Sequence, residues 1–204
     1  PLGRALFSSD DPRVRAHAAF ILGELGDRSA LPMLRQAANA PVPKGEASQV
    51  SVMRQQIAEA MVKLGDREPL QGLRAALYPS RAEELELTAL AVQIIGQVED
   101  RASIGQLIYL SATKDGQRFL PPEIRLAVAQ ALGRMGRDEG AFLAEEYDTH
   151  ENPLVREQAA HVYGWTLKRG EVGRLDALLT DPSPQVRVAA AAGVLRASAR
   201  PRGG

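Results

Sequence analysis

The 204-residue sequence contains no cysteine. That absence excludes disulfides, thiolate metal sites, iron–sulfur clusters and cysteine nucleophiles together. Aromatic residues make up only 4% of the chain, too few for a β-sandwich or an aromatic-lined pocket, so no strands are expected. Net charge is lacking too: 25 Lys and Arg balance 25 Asp and Glu, which disfavours a strongly basic nucleic-acid binder or a polybasic membrane sticker. There is no signal-peptide pattern and no apolar run near the roughly 18 residues of a membrane span, so membrane insertion is not expected. The compartment stays open, with a cytoplasmic location favoured. What the chain has in quantity is Ala, Leu, Arg and Glu, residues that lose little on entering a helix, within a 45% hydrophobic whole that can bury a core.

These residues recur at intervals of roughly 31 to 39, which signals stacked units rather than one globule. The first unit reads Asp11-Pro12-Arg13-Val14-Arg15, then Ala18-Ala19, Leu22-Gly23, Leu25-Gly26-Asp27, Leu31 and Leu34. Arg54, Ala58, Leu64-Gly65-Asp66, Leu70 and Leu73 repeat it; a weaker third copy has Thr88 in the Arg position, then Ala91, Ile95-Gly96, Val98, Asp100, Ile104 and Leu107. Further copies begin at Pro122, Pro153 and Pro184, with Ile124-Arg125, Val155-Arg156 and Val186-Arg187 in step.

Within a unit Val14, Ala18, Leu22 and Leu25 mark one face of a helix, and Leu31, Leu34 and Ala38 mark the inner stripe of a second, so each unit is expected to be a helical hairpin. Asp11, Asn152 and Ser183 each precede a proline and are expected to cap the first helix there. Ser80 with Glu83 reads as a capping box, and Gly26, Gly65 and Gly136 fall where the first helix should stop in a left-handed cap.

The pattern x-Val-Arg-x-x-Ala-Ala-x-x-Leu-Gly-x-x-Gly-Asp resembles HEAT repeats, specifically the bacterial phycobilisome-lyase-like variety, across essentially the whole chain. The resemblance implies an all-α, right-handed α-solenoid of about five and a half hairpins over residues 1–200, a disordered tail at 201–204, and a role as a non-catalytic protein-binding scaffold. Phycobilin-lyase-like chromophore handling and a plain structural spacer are the alternatives. Both ends look cut through repeats, so a longer parent array is expected. In such stacks the repeated Arg (Arg15, Arg54, Thr88, Arg125, Arg156, Arg187) and Asp (Asp27, Asp66, Asp100, then Arg137) hydrogen-bond from unit to unit. The ladder is therefore expected to be structural, with breaks at Thr88 and Arg137.

Second helices of HEAT-type arrays line the concave face, which makes their solvent-facing positions the expected partner surface. Those positions are Arg35 and Arg74 at one end, Ile108 and Tyr109 in the middle, and Glu145 and Asp176 at the other: an apolar anchor flanked by charge of opposite sign. Two junctions longer than the minimal repeat add Lys44, Lys114 and Asp115 as candidate loop contacts. The partner is read as a protein, not a nucleic acid, and the chain as a monomer.

Catalytic and cofactor chemistry is not expected. His17, His150 and His161 fall on separated units, and His17 and His161 are read on outer helix faces. The His150-Glu151 pair stands alone where the HEAT-like di-iron hydroxylases use several. Gly133-x-x-Gly136 lacks the strand and spacing of a phosphate loop, and no Ser-His-Asp set converges. HEAT-like DNA glycosylases need a basic groove that a neutral chain does not promise. Tyr163 and Trp165 are read as core filling.

Overall fold

The computed structural model describes residues 2–167 and 169–199; the tail at 201–204 lies outside them. The fold is the all-α, α-solenoid class, organised as two compact units, Pro1–Val98 and Glu99–Gly204.

In the first unit, α1 (Leu2–Ser8) leads into the hairpin of α2 (Pro12–Leu25) and α3 (Leu31–Ala38). A second hairpin follows in α4 (Ala47–Lys63) and α5 (Leu70–Ala75), and α6 (Leu85–Gln97) closes the unit. Successive first helices pack directly, α2 on α4 and α4 on α6. Leu6, Leu22, Leu34, Met53, Ile57 and Leu64 form the core between them. Burying each such side chain contributes roughly 1.5–3 kcal/mol.

The second unit holds α7 (Ile104–Ala112), α8 (Pro122–Arg134), α9 (Phe142–Tyr147), α10 (Pro153–Thr166), α11 (Asp176–Leu179) and α12 (Pro184–Ala199). Here α8 packs on α10 and α10 on α12, around Leu126, Leu143, Val155, Tyr163, Leu175 and Val186. Tyr163 is buried as expected of core, and its hydroxyl donates to Asp148 Oδ2 at 2.7 Å. Trp165 is only half-buried.

Three local features depart from expectation. The apolar stripe of α2 is Ala16, Ala19 and Gly23 with Ala18 and Leu22, leaving Val14 43% and Leu25 66% exposed. On α3 the buried pair is Leu34 and Ala37, with Ala38 outside. A small β-hairpin, β1 (Lys114–Asp115) with β2 (Arg118–Phe119), also forms where no strand was expected. Its two-residue turn begins at Gly116, whose φ of +62° supplies the left-handed first position that such turns require.

The helix ends follow the sequence signals closely. Asp11 Oδ1 accepts from Arg13 N at 2.8 Å and Asn152 Oδ1 from Leu154 N at 3.0 Å. Before Pro184, Asp181 Oδ1 accepts from Ser183 N at 2.8 Å, while the Ser183 hydroxyl bonds Gln185 instead of capping. The box at Ser80 uses Glu84, not Glu83, because a turn at Ala82–Glu84 precedes α6 and shifts the register by one. The Ser80 N–H, with Arg81 and the Ser80 hydroxyl, holds the Glu84 carboxyl down at about 2. Gly26, Gly65 and Gly136 all have positive φ, and after α4 and α8 the paired bonds Asp66 N to Met61 O and Arg137 N to Leu132 O complete Schellman caps. In the third sequence repeat Glu99 occupies that glycine position with φ +50°.

Three of the repeated arginines, Arg15, Arg156 and Arg187, form a ladder mainly to backbone carbonyls. Arg15 Nε donates to Ser9 O, Arg156 Nη1 to His150 O and Arg187 Nη1 to Asp181 O, each at 2.7 Å and each to the loop leading into its own helix. Arg15 and Arg156 also reach forward to the next leading loop, at Pro41 O and the Asp181 carboxylate. Thr88 does not break the pattern: its buried hydroxyl donates to Ala76 O at 2.9 Å. The repeated aspartates instead cap their own turns, Asp27 at Ser29 N and Asp66 at Glu68 N, with Asp100 taking the Ser103 hydroxyl.

Helix contact depends on small residues. A Cβ on Gly164 would stand 2.7 Å from Gly193 Cα, and one on Gly23 2.9 Å from Ala60 Cα. Gly164→Ala should therefore destabilise by about 1–3 kcal/mol in urea unfolding, despite alanine's better helix propensity. Gly105→Ala on α7, where the new methyl meets nothing within 4 Å, should be neutral or slightly stabilising in the same assay. Glu99→Gly relieves a left-handed side-chain clash and should raise stability by about 0.5–1 kcal/mol, read as an increased melting temperature.

Candidate partner-binding surface

In the first unit the candidate cations lie on successive second helices. Arg35 is in the last turn of α3, where its Nε donates to Asp66 Oδ2 at 2.7 Å. It is 54% exposed, but it is tied to the turn between α4 and α5 rather than presented freely to solvent. Asp66 is buried and takes Arg35 as its positive partner. The Arg35 guanidinium, with the Glu68 N–H, holds the Asp66 carboxyl below the usual range. Arg74, in the last turn of α5, is half-buried beside the buried Leu73. Lys44 is exposed on the loop before α4.

In the second unit, α7 buries Leu107 and Leu110, so helical rotation turns the two residues between them outward. Ile108 is 36% and Tyr109 64% exposed. Glu145 on α9 accepts from Arg174 Nη1 at 2.9 Å in a pair exposed on both sides, which contributes little to stability. Asp176 is exposed at the start of α11. The segment 138–151 carries Asp138, Glu139, Glu145, Glu146, Asp148 and Glu151 and no Lys or Arg.

The β-hairpin places Lys114 and Asp115 on β1. Lys114 Nζ lies 4.7 Å from the centre of the Phe119 ring, and the Arg125 guanidinium lies 4.5 Å from the same ring. Arg125 is buried, and its Nη1 donates to Glu146 Oε1 at 2.8 Å and to the Tyr147 hydroxyl. The repeat arginine of this hairpin thus anchors α9 and the inserted strands instead of a leading loop.

Sequence reasoning missed three exposed aromatics on or just after second helices: Tyr78 at 53%, Phe142 at 59% and, in the hairpin, Phe119 at 48%. With nine Phe, Tyr and Trp in the chain, surface placement of so many was the available signal. His17 is exposed as expected; His150 Nδ1 accepts from Asn152 N at 3.1 Å within its loop. Among the described residues no group of three or more His, Asp or Glu could hold a metal, and no helix is long and apolar enough to cross a membrane.

Residues 1–89 match the family model for HEAT repeats. No curated protein matches the sequence. Among solved structures, the complex of CpcE and CpcF of phycocyanin lyase from Nostoc sp. PCC7120 is similar with a TM-score of 0.58 at 23% identity, covering 93% of this chain and 73% of that one. An engineered protein from the Northeast Structural Genomics Consortium gives 0.54 at 18% over 96% and 94% of the two chains. A designed armadillo repeat protein in complex with the peptide (KR)4 gives 0.54 at 13% over 96% and 98%. These likenesses establish the helical-repeat fold.

The two ion pairs to buried aspartates, Arg35–Asp66 and Arg156–Asp181, differ in the burial of the arginine, and so should their energetics. Arg156, 16% exposed against an Asp181 side chain at 7%, should cost about 2–4 kcal/mol on replacement by Ala, because a buried carboxylate is left without its cation. Arg35→Ala should cost about 1 kcal/mol or less, being half in solvent. Arg156 and the Ser183 N–H hold Asp181 below its ordinary range, against burial. Both depressed carboxyls contribute stability above about pH 4 that is lost on further acidification. Unfolding free energies between neutral and acid pH check the ordering and the sign.

Proposed function

From the helical-repeat fold, and the match of residues 1–89 to the HEAT-repeat family model, we propose that the chain acts as a non-catalytic scaffold that binds a protein partner through the exposed positions of its second helices. The observation that carries this reading is the Ile108–Tyr109 pair, two large side chains held outward by the buried Leu107 and Leu110 on a packed helix. A rigid aromatic with an apolar neighbour loses little entropy on burial and is the type of residue that dominates interface energetics. Asp176, exposed at the start of α11 in the same unit, supplies negative charge suited to a partner with basic side chains. The designed armadillo repeat protein of similar fold was solved with a (KR)4 peptide, and the phycocyanin lyase structure is itself a complex of two chains. Both are precedents for recognition by stacked helices. In the first unit Arg74, with Lys44 on its loop, supplies positive positions; Lys114 and Asp115 extend the second unit's surface at its hairpin.

Tyr109→Ala should weaken capture of the partner from cell extract by more than about 1 kcal/mol, with the melting temperature nearly unchanged. Side-by-side affinity capture with wild type and variant, read by mass spectrometry and visible absorbance, tests this. Equal retention removes the surface, and a retained tetrapyrrole band replaces the scaffold reading with chromophore handling.

A further inference from the structure

Packing between first helices repeats one junction within each unit. The earlier helix sets a small residue against the later one: Gly23 of α2 against Ala60 of α4, Gly133 of α8 against Trp165 and Thr166 of α10, and Gly164 of α10 against Gly193 of α12. Two turns nearer the helix starts, Gln55 of α4 donates to Leu87 O of α6 at 3.1 Å. In the repeat register Leu195 continues the series Gly23, Gly133 and Gly164, and Val188 takes the position of Gln55. On the opposite side of the junction, Ile21 matches Ala60 and Gly193, Leu25 matches Thr166, and Val14 matches Leu87. The front of α12 and the rear of α2 are therefore the two halves of this junction.

Both halves are apolar and uncovered. Val188 and Leu195 are 70% and 72% exposed on one face of α12, and Ile21 is 43% exposed on the α2 face that also bears Val14 and Leu25. Leucine is larger than the glycine of the tight junctions, but α4 packs on α6 with Val62 in that position and the buried Ile94 in the facing one, so the junction has a wider form. The polar bonds are open at the same place. Arg156 places Nη1 on two carbonyls of its own leading loop and extends Nε and Nη2 forward to the Asp181 carboxylate. Arg187 repeats the first half, with Nη1 donating to Asp181 O and Pro182 O; it is exposed, and its Nε and Nη2 bond nothing among the described residues. In the loop leading into α2, Asp10 stands next to the position of Asp181, exposed and in no ion pair among the described residues.

We propose that the α12 face docks the α2 face of a second copy of this chain, head to tail, with Val188 against Val14, Leu195 between Ile21 and Leu25, and Arg187 against Asp10. The occupant follows from the faces themselves. Each carries the residues that meet its counterpart inside the fold, so the contact continues the junction already made between α10 and α12. Charge complements shape: the α12 side offers a guanidinium with an open edge and the α2 side a carboxylate without a cation, the pairing that Arg156 and Asp181 make internally. Pairing of two like faces would leave both charges unanswered. Because the faces differ, the contact is heterologous, and every added copy exposes a fresh face for the next. The α7 surface takes no part in it.

Sedimentation equilibrium of the full chain, at concentrations up to about 1 mM, should give a weight-average mass that climbs above that of one chain. Leu195→Lys and Leu25→Lys, both at well-exposed positions, should each hold the mass at one chain. Their equimolar mixture should form dimers and nothing larger, because each variant keeps the face that the other has lost. Recovery in the mixture also shows that both variants are folded. Asp10→Lys, at a side chain that holds nothing within its own chain, should weaken association by about tenfold. Tyr109→Ala, which tests the α7 surface, should leave it unchanged. A mass fixed at one chain throughout, undiminished association in either leucine variant, or a mixture of helical, folded variants that stays at one chain would each overturn the assignment.

Discussion

Everything in the two units follows from how closely successive first helices approach. Backbone meets backbone at Gly164 and Gly193, a glycine meets an alanine at Gly23 and Ala60, and Gly133 faces the Trp165 Cβ at 2.8 Å from where its own Cβ would be. Such contacts admit only small side chains, which explains both the alanine-rich first helices and the shortage of aromatics. Bulk must go elsewhere: into the interior of each hairpin as Leu, Ile and Met, or outward. The exposure of Tyr109, Phe142 and Trp165's flank is the other side of that constraint.

Close packing leaves the loops between helices to be fixed by polar bonds, and here the repeated arginine acts as a fork. One guanidinium can bond two carbonyls of its own leading loop and an acceptor in the next, as Arg156 does with His150, Glu151 and Asp181. What is required is a donor at that position rather than an arginine as such, which is why Thr88 can take the place with a single hydroxyl bond to Ala76. Where insertion of the β-hairpin moves the acceptors away, as at Arg125, the side chain is redirected to Glu146, Tyr147 and Phe119.

The repeat period, the hairpin, the proline-marked starts and the glycine stops were all legible in the sequence because each depends on one residue's backbone preference. The exposed Val14 and Leu25 were not, since several helical stripes through the same alanines are equally plausible until the neighbour's direction is known. The β-hairpin was written in Gly116-Gln117, a glycine-first turn signal outweighed by the helical composition around it. Pairing by residues far apart in sequence was least legible of all. Nothing in the periodicity indicates that Arg35 belongs to Asp66, or that Arg134, Trp165 and Arg196 converge from three helices.

Those distant pairings change what the charges can do. Read along the sequence, Arg35 and Glu145 are opposite poles of a charged face. In the folded chain each is paired, with Asp66 and Arg174, so each pole is reduced locally to a dipole whose reach in physiological salt is under about 10 Å. Orientation of a partner then depends on groups whose charge is not already answered. Glu146 on α9 is answered as well, by Arg125, whereas Asp176 is exposed at the start of α11. A cation held over an aromatic ring keeps its full charge for an incoming carboxylate, while a cation held by an aspartate does not. Arg125 combines the two cases: it lies over the Phe119 and Tyr147 rings and also pairs with Glu146, so ring contact and ion pair there serve the same architecture.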